Sequence, residues 1–253
     1  MKKQNKIELS IVIPAYREEK RIGKTLDQLA AYIKTDGTLR EDNVEVIIVS
    51  ADSQDRTHDI IKGKQALYTN FKIIFPGPKV GKGRDVKLGM LEARGKAVLF
   101  MDADLATPLK YIKLFYETFL TNADVVIAVR DLKRYRQNIP RIFISAIGNI
   151  LFKLASGIWI EDSQCGFKLF SYDAMQICFS QLQIMGWGFD MDILAAAKAN
   201  KLTIQTIHVP DWVSVPEGTF EDAIFKNTLR SFVDLSLIFY KRIFGRYKLE
   251  KSK

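Results

Sequence analysis

The first half of the chain alternates short apolar, β-branched runs with longer amphipathic stretches, and this alternation restricts the possible folds more than any other feature. The apolar runs predict buried strands over residues 9–14, 44–50, 71–75, 97–101 and 124–129. The amphipathic stretches predict helices over residues 21–34, 55–67 and 84–93. Strands that alternate with helices in this way form a doubly wound sheet. We therefore predict an α/β fold with a mainly parallel, twisted sheet flanked by helices.

Polar segments follow all five predicted strands. Parallel strands end at one edge of their sheet, and ligands bind beyond their carboxyl ends. In chain order these segments read PAYREEKRI, SADSQDRT, PGPKVGKGRDVKLGM, DADLATP and RDLKRYR. Acids, glycines and bases therefore collect at one edge, which predicts the functional site there.

Asp102 and Asp104 stand two residues apart directly after an apolar run. Two neighbouring carboxylates disfavour each other's ionised form unless a positive charge lies between them. The pair is either the solvated start of a loop or part of a cation site. Carboxylates are ligands that Mg²⁺ takes together with substrate phosphates, so the second interpretation suits a phosphorylated substrate.

The overall charge narrows the choice of partners. The chain has 253 residues and a formal net charge of +9, which favours nucleic acid, phosphorylated substrates or an anionic membrane surface. The bases lie beside apolar helical stretches and are not interleaved with stacking aromatics, which argues against nucleic acid. Two cysteines without a CxxC pattern argue against disulfides and structural zinc. The N-terminus has no long apolar core and predicts a first strand, not a signal peptide.

The second half contains two apolar segments with basic residues. Residues 139–160 are apolar on most faces but are interrupted by Arg141 and Lys153, so they form either a core helix or an interfacial helix. Residues 216–253 predict an amphipathic helical segment with a basic end, which attracts anionic lipid. We therefore divide the chain into a catalytic domain over 1–215 and a C-terminal basic segment over 216–253.

Five motifs in order carry a resemblance to a known family: SIVIPAYREEKRI, GKGRDVKLGM, LFMDADLATP, EDSQCGFKLF and GWGFDMDIL. The chain resembles glycosyltransferase family 2, and within it the dolichyl-phosphate or polyprenyl-phosphate glucosyltransferases, which are related to dolichyl-phosphate mannose synthases. This resemblance implies a GT-A fold, a nucleotide-diphosphate-sugar donor, a divalent cation (Mg²⁺ or Mn²⁺) and inversion at the anomeric carbon.

The resemblance and the chemistry of the side chains together define candidate site residues. Those for the nucleotide-sugar are Pro14, Ala15, Tyr16, Glu18, Asp52, Lys82, Asp102 and Ala103. The metal ligands are Asp102 and Asp104, and the catalytic candidates are Asp104, Asp190 and Asp192. The bases expected to bind an acceptor phosphate are Arg130, Arg134 and Arg141. The sugar and acceptor pocket is assigned to Asp162, Gln164, Lys168 and Trp187.

Some of these assignments have a purely structural alternative. Asp190 and Asp192 stand near a predicted helix start, where the helix dipole favours carboxylates whatever their function. The glycines on either side of Lys82 predict a turn whose N–H groups approach an anion. His58 and His208 lie outside the motifs, so we expect them to be structural or exposed. Cys165 is expected to be a packed residue, not a nucleophile.

The chain departs from the family pattern in two places. The family's DDGSxD is SADSQD here, so Ser50 and Ala51 replace two acids and Asp52 stands at the usual glycine. Ala106 occupies the position of a glutamine metal ligand in the mannose synthases, and the glucosyltransferase branch lacks that glutamine too.

We therefore predict an inverting, metal-dependent transferase. It moves a hexose, expected to be glucose from UDP-glucose, onto a polyprenyl or dolichyl phosphate. The protein is expected to bind peripherally at the cytoplasmic face of a membrane, as a monomer or an oligomer. A hydroxyl group of a soluble sugar or glycan as acceptor is one alternative, and a non-catalytic nucleotide-sugar-binding protein is the other.

Overall fold

The computed structural model describes residues 7–130, 153–154, 156–186, 188–213 and 224–248, with the side chains of the last range described from residue 233. The strands in this part of the chain are β1 (Leu9–Ala15), β2 (Val44–Ser50), β3 (Phe71–Ile74), β4 (Ala97–Met101), β5 (Val125–Arg130), β6 (Phe167–Ser171) and β7 (Ile204–Val209). The helices are α1 (Ile22–Thr35), α2 (Thr57–Gly63), α3 (Lys82–Leu91), α4 (Tyr111–Leu120), α5 (Tyr172–Ser180), α6 (Phe189–Ala199) and α7 (Ile224–Ile243). Two short 3-10 turns cover Glu41–Asn43 and Gln65–Leu67.

The strands form one sheet in the order β3-β2-β1-β4-β6-β5-β7. β6 is antiparallel to both of its neighbours, β4 and β5, whereas the other pairs are parallel. The carboxyl ends of β1 to β5 therefore meet at one edge, as the sequence predicts. Because β6 runs the opposite way, its amino end reaches the same edge, where Phe167 pairs with Met101 at the end of β4.

The predicted elements of the first half are confirmed, with shifts of a few residues at their ends. α2 is shorter than predicted because the chain turns into a 3-10 segment at Gln65–Leu67. α3 begins at Lys82, two residues before its predicted start. β6 and β7 were not predicted. A lysine interrupts the apolar run of β6, and β7 is an edge strand with several exposed polar side chains.

Alternate side chains of the central strands pack into two core layers. On one face Phe100 of β4 meets the rings of Phe170, Phe179 and Phe189, with centroid distances of 6.5, 6.4 and 5.7 Å. On the other face the ring of Phe115 from α4 meets Phe167 edge to face at 4.9 Å. Aromatic packing therefore supports β4, which leads into the two aspartates, on one face, and joins α4 to the neighbouring β6 on the other.

α7 packs against α6 and buries Ile238 completely, and Tyr247 beyond its end is buried as well. The predicted division at residue 215 falls outside the described residues, as do residues 139–152 of the predicted apolar helix. Within the described part of the chain, no helix is long and apolar enough to cross a membrane.

Truncation of the central aromatic ring tests the importance of this packing. We expect Phe100→Ala to lower the free energy of unfolding by about 3–5 kcal/mol, because the ring is fully buried. Urea denaturation measures the change. Leu120→Ala, at a side chain that is 61% exposed, serves as the control and should stay within about 0.5 kcal/mol. Equal effects of the two variants would contradict this account of the core.

Candidate active site

Asp102 follows β4 directly and is held in place by the segment before β6. Its backbone N–H donates to the carbonyl of Gly166 at 3.0 Å. A Cβ at Gly166 would overlap the Asp102 carboxylate. Only glycine therefore allows this carboxylate to lie where it does. The sequence analysis did not select Gly166, although it lies within the EDSQCGFKLF motif.

Lys82, the first residue of α3, forms an ion pair with Asp102. Burial works to lower the pKa of Lys82, but the carboxylates of Asp102, Asp190 and Asp104 outweigh it and raise that pKa above its usual value. The ammonium group therefore carries a full charge in the middle of three acids. It provides the positive charge that the DAD pair requires.

The glycines beside Lys82 also have a packing role that was not predicted from the sequence. A Cβ at Gly81 would overlap the carbonyl of Met185, and one at Gly83 would overlap that of Ile184. The N–H of Arg84 donates to Met185 O at 3.3 Å. These glycines therefore allow the segment 184–186 to lie against the start of α3, and this contact fixes the origin of the Lys82 side chain. Residues 184–186 precede Asp190 by four to six positions in the sequence.

Asp190 lies in the first turn of α6 and is almost completely buried. Its carboxylate accepts from the ammonium group of Lys168, which also donates to Cys165 O at 2.6 Å. Burial raises the pKa of Asp190, although Lys168 and Lys82 oppose the shift. The structure thus brings Asp190, Lys168 and Lys82 together next to Asp102, although the sequence placed them in three separate sets of candidates.

Asp104 and its neighbours form a tight turn after β4. Asp104 Oδ1 accepts from the N–H of Ala106 at 3.0 Å, and Leu105 between them has a φ of 56°. The left-handed conformation is costly for a non-glycine residue, of order 1–3 kcal/mol. The carbonyl of Ala103 accepts from Thr25 Oγ1 at 2.6 Å. Burial and the charge of Asp102 raise the pKa of Asp104.

The loop after β1 brings a third acid close to the pair. Burial raises the pKa of Glu18, and the nearby Asp104 and Asp102 add to the increase. Arg21 opposes it through two hydrogen bonds to the Glu18 carboxylate, at 2.8 and 2.9 Å. The sequence analysis missed Arg21 as a partner, although its spacing of three residues from Glu18 suits one helical turn.

An aromatic ring with two cations lies beside this loop. The ammonium group of Lys79 is 3.9 Å from the ring centroid of Tyr16, and the guanidinium of Arg17 is 5.3 Å from it. Burial and the charge of Arg17 lower the pKa of Lys79. An aromatic ring flanked by two cations suits a ligand that has both a flat ring and a negative charge.

The SADSQD segment, residues 50–55, follows β2 and lies at the same edge of the sheet. It lacks the two leading acids of the family's DDGSxD pattern. Asp52 is exposed, and its N–H donates to Gly77 O at 3.0 Å, so the loops after β2 and β3 lie together. His58 Nε2 lies 3.2 and 3.1 Å from the carbonyls of Ser50 and Ala51. Since a carbonyl can only accept, this nitrogen carries a proton. His58 is therefore structural, as predicted, and His208 is exposed.

Asp55 is the one acid of the family's DDGSxD pattern that persists here. Its carboxylate accepts from Ser53 Oγ at 2.6 Å, from Thr57 Oγ1 at 2.9 Å and from the N–H of Glu19 at 3.3 Å. It therefore joins the loop after β2 to the loop after β1. The sequence analysis did not select it.

Arg130 at the end of β5 is bound to another predicted site residue. Its guanidinium donates to both carboxylate oxygens of Asp162, at 2.6 and 2.9 Å, and lies 5.1 Å from the ring centroid of Trp212. Asp162 thus pairs with the charge of Arg130, and the role of Arg130 toward an acceptor phosphate stays a prediction. Gln164 is exposed nearby, and its N–H donates to Asp162 Oδ1 at 3.2 Å. Arg134, Arg141 and Trp187 lie outside the described residues.

Asp192 differs from Asp190 in its surroundings. Its carboxylate accepts from Lys241, Tyr247 and the N–H groups of Gln183 and Ile184. These contacts favour a structural role for Asp192 and leave Asp190 as the acceptor-side candidate of the two. Asp190 and Asp192 meet different partners because side chains two residues apart on a helix point in nearly opposite directions.

Cys165 and Cys178 are both unpaired and buried. Burial raises the pKa of Cys165 to about 12, so its thiol stays protonated at neutral pH and cannot act as a nucleophile. This agrees with its predicted packing role.

The two aspartates of the DAD pair fit a divalent cation that is shared with a substrate. No group of three or more His, Cys, Asp or Glu side chains that could hold a metal occurs in the described part of the chain. Asp102 and Asp104 supply two carboxylates at the strand end. Mg²⁺ commonly binds through one or two carboxylates, with substrate phosphates and water completing its shell.

A methyl group at residue 166 tests whether the position of the Asp102 carboxylate matters. We expect Gly166→Ala to weaken binding of Mn²⁺ together with UDP at least about 10-fold, because the methyl group displaces a candidate ligand. Titration calorimetry measures the affinity. Gly63→Ala is the matched control, since a Cβ at this position in α2 meets nothing. An unchanged affinity in Gly166→Ala would refute the assignment of Asp102.

Comparison with known proteins identifies the family of the chain. The glycosyl transferase family 2 model matches residues 10–177. The chain is 32% identical over 222 residues to the dolichyl-phosphate beta-glucosyltransferase ALG5D of Trichomonas vaginalis, with 83% of this chain and 67% of the relative covered. It is 31% identical over 261 residues to the dolichyl-phosphate beta-glucosyltransferase of Drosophila melanogaster, with 96% and 78% covered. The chain thus spans about two thirds of the length of the first relative and about four fifths of the second.

Solved structures support the fold. Glucosyl-3-phosphoglycerate synthase from Mycobacterium tuberculosis in complex with UDP aligns with a TM-score of 0.68 at 16% identity, over 92% of this chain and 80% of that one. A mannosyltransferase from Pyrobaculum calidifontis in complex with GDP-Man and Mn²⁺ aligns with a TM-score of 0.57 at 19% identity, over 93% and 73%. The GT-A architecture is therefore confirmed. Because the family model matches well over half of the chain, the chain belongs to glycosyl transferase family 2.

Proposed function

We propose that this glycosyltransferase moves glucose from UDP-glucose onto a polyprenyl or dolichyl phosphate, with inversion at the anomeric carbon. The names of its relatives, which are dolichyl-phosphate beta-glucosyltransferases, support the sugar and the acceptor. The observation that carries the proposal is the half-buried Lys82 among Asp102, Asp104 and Asp190 at the strand ends. In this cluster Lys82, Asp102 and Asp104 provide a site for the donor diphosphate, and Asp190 provides a carboxylate on the acceptor side.

The chemistry requires little proton transfer. A phosphate monoester has a second pKa of about 6, so the acceptor is mostly dianionic at neutral pH and needs no general base. One of its oxygens attacks the anomeric carbon while the bond from that carbon to the diphosphate oxygen breaks. UDP leaves with the bonding electron pair. The chain must therefore position two anions and stabilise the charge on the leaving diphosphate.

The described residues divide these tasks between them. Lys82 places a positive charge next to the carboxylates at the diphosphate side. Asp102 and Asp104 would hold Mg²⁺ or Mn²⁺ there, and such an ion neutralises the developing negative charge as a Lewis acid. Lys168 fixes the carboxylate of Asp190, which is then in position to orient the acceptor side.

The charge and the exposed apolar residues of the C-terminal region support a peripheral membrane site at the cytoplasmic face. Arg242 donates to Leu154 O at 2.8 Å, so the described residues near 154 lie beside the end of α7. Large apolar side chains are exposed in this region: Leu154, Trp159, Val233, Phe239, Tyr240, Ile243 and Phe244. Bases accompany them: Lys153, Arg242, Arg246 and Lys248. Aromatic side chains and bases together suit the interface of an anionic bilayer. We call these eleven residues the C-terminal patch.

A donor panel tests the reaction. The protein is incubated with Mg²⁺ or Mn²⁺, a short polyprenyl phosphate and labelled UDP-glucose, GDP-mannose or UDP-N-acetylglucosamine. We expect label in the organic phase with UDP-glucose only. Asp104→Asn should reduce the rate by about 100-fold or more, because it removes a charged ligand of the ion on the leaving group.

Each rival has its own outcome in this experiment. Transfer to a sugar or glycan hydroxyl and not to the lipid phosphate would replace the proposal with the first alternative. The buried Asp190 with its raised pKa is the observation that suits such an acceptor, since a hydroxyl group needs a base. Binding of UDP-glucose without turnover on any acceptor would identify a binding protein.

Vesicle flotation tests the C-terminal patch. We expect the protein to float with phosphatidylcholine vesicles that contain phosphatidylserine and less with phosphatidylcholine alone, because part of the attraction is electrostatic. Trp159→Ser and Phe244→Ser should each lower the bound fraction several-fold. Leu120→Ser is the control, because Leu120 is equally exposed but lies at the end of α4, outside the patch. Equal binding of all four proteins would refute the membrane surface.

A further inference from the structure

A buried polar network joins α7 to the start of α6. Asp192 Oδ1 accepts from Lys241 Nζ at 2.8 Å and from Tyr247 Oη at 2.5 Å. All three residues are at most 3% exposed. A second close contact lies one turn away, where a Cβ at Gly188 would overlap the carboxylate of Asp234 in α7. The C-terminal helix is therefore seated on the segment that carries Asp190.

The other carboxylate oxygen of Asp192 holds the segment that precedes α6. Asp192 Oδ2 accepts from the N–H groups of Gln183 at 3.0 Å and Ile184 at 3.4 Å. Lys241 also donates to Gln181 O at 3.0 Å. Residues 181–184 are thus fixed to α7 through one lysine and one aspartate.

The same segment packs against the start of α3, where Lys82 lies. The carbonyls of Ile184 and Met185 lie against Gly83 and Gly81, and Arg84 N–H donates to Met185 O. Lys82 lies between these two glycines and reaches Asp102. A continuous series of direct contacts therefore runs from Lys241 through Asp192 and residues 183–185 to Lys82.

We propose that Lys241 and Tyr247 are positioning residues for the donor site. By holding Asp192 they set the position of residues 183–185, and this segment sets where α3 begins and where the Lys82 ammonium group lies. A carboxylate whose oxygens are bound from both sides has one position, and loss of a partner leaves a buried charge that is only partly compensated. The donor-binding readout of this proposal rests on the proposed function.

An ion pair between a buried carboxylate and an exposed base, Glu45 and Arg94, provides a control away from the site. Glu45 is 2% exposed and accepts from the Arg94 guanidinium at 3.0 and 2.8 Å and from Ser10 Oγ at 2.6 Å. Glu45 lies near the start of β2, at the edge opposite the active site. Arg94→Met therefore removes the cationic partner of a buried carboxylate without touching the donor side.

The experiment compares Tyr247→Phe, Lys241→Met and Arg94→Met in the full chain. Urea denaturation first checks that all variants are folded at the temperature of the exchange experiment. Hydrogen–deuterium exchange then follows the backbone amides of residues 82–91. We expect faster exchange there in Tyr247→Phe and Lys241→Met but not in Arg94→Met, whatever ligand the protein binds.

Calorimetry with UDP and Mn²⁺, together with kcat and KM for the donor, completes the test. We expect Lys241→Met to weaken UDP binding by about 10-fold, as removal of an indirect supporting contact commonly does, while Arg94→Met binds like the parent. Unchanged exchange over residues 82–91 in both C-terminal variants would overturn the proposal. If the parent binds no nucleotide, the proposed function fails, and the exchange data still decide the positioning role.

Discussion

The site depends on one physical constraint, which is that carboxylates crowded together and partly or fully removed from water need positive charge close by. Asp102 and Asp190 lie on different halves of the chain, and both are near the ammonium group of Lys82. Lys168 provides a second positive charge, for Asp190. Without these lysines the mutual repulsion and the burial of the acids would favour their protonated forms. The lysines therefore oppose this effect, and at Asp190 burial still raises the pKa.

The antiparallel β6 is what allows the two halves of the sequence to meet. It lies between β4 and β5, and its amino end reaches the carboxyl ends of its neighbours. Gly166 therefore comes into contact with Asp102. Two residues later, in β6, the side chain of Lys168 reaches Asp190. A purely parallel arrangement would place this segment at the opposite edge. The one reversed strand is thus a requirement of the site.

Much of the fold and part of the site could be predicted from the sequence. The strands of the first half are continuous apolar runs, and their order at the sheet edge brings Asp102, Asp104 and Glu18 together as expected. β6 could not be recognised, because Lys168 breaks its apolar pattern and is satisfied only by partners distant in sequence. The same limit applies to Asp192. Its sequence neighbourhood resembles that of Asp190, and only the fold shows that its partners are Lys241 and Tyr247.

The positive charge of the chain serves two physical purposes that composition alone cannot separate. Lys168 and Lys241 are buried, Lys82 is half-buried, and each neutralises a specific carboxylate. Arg246 and Lys248 are exposed beside apolar side chains of the C-terminal patch. Lys241 and Arg242 are adjacent in α7, yet the first faces the core and the second is exposed. One helix therefore presents a base to the buried network on one side and bases to the surface on the other. A change at the surface face of α7 is then only one residue away from the contacts that position Lys82.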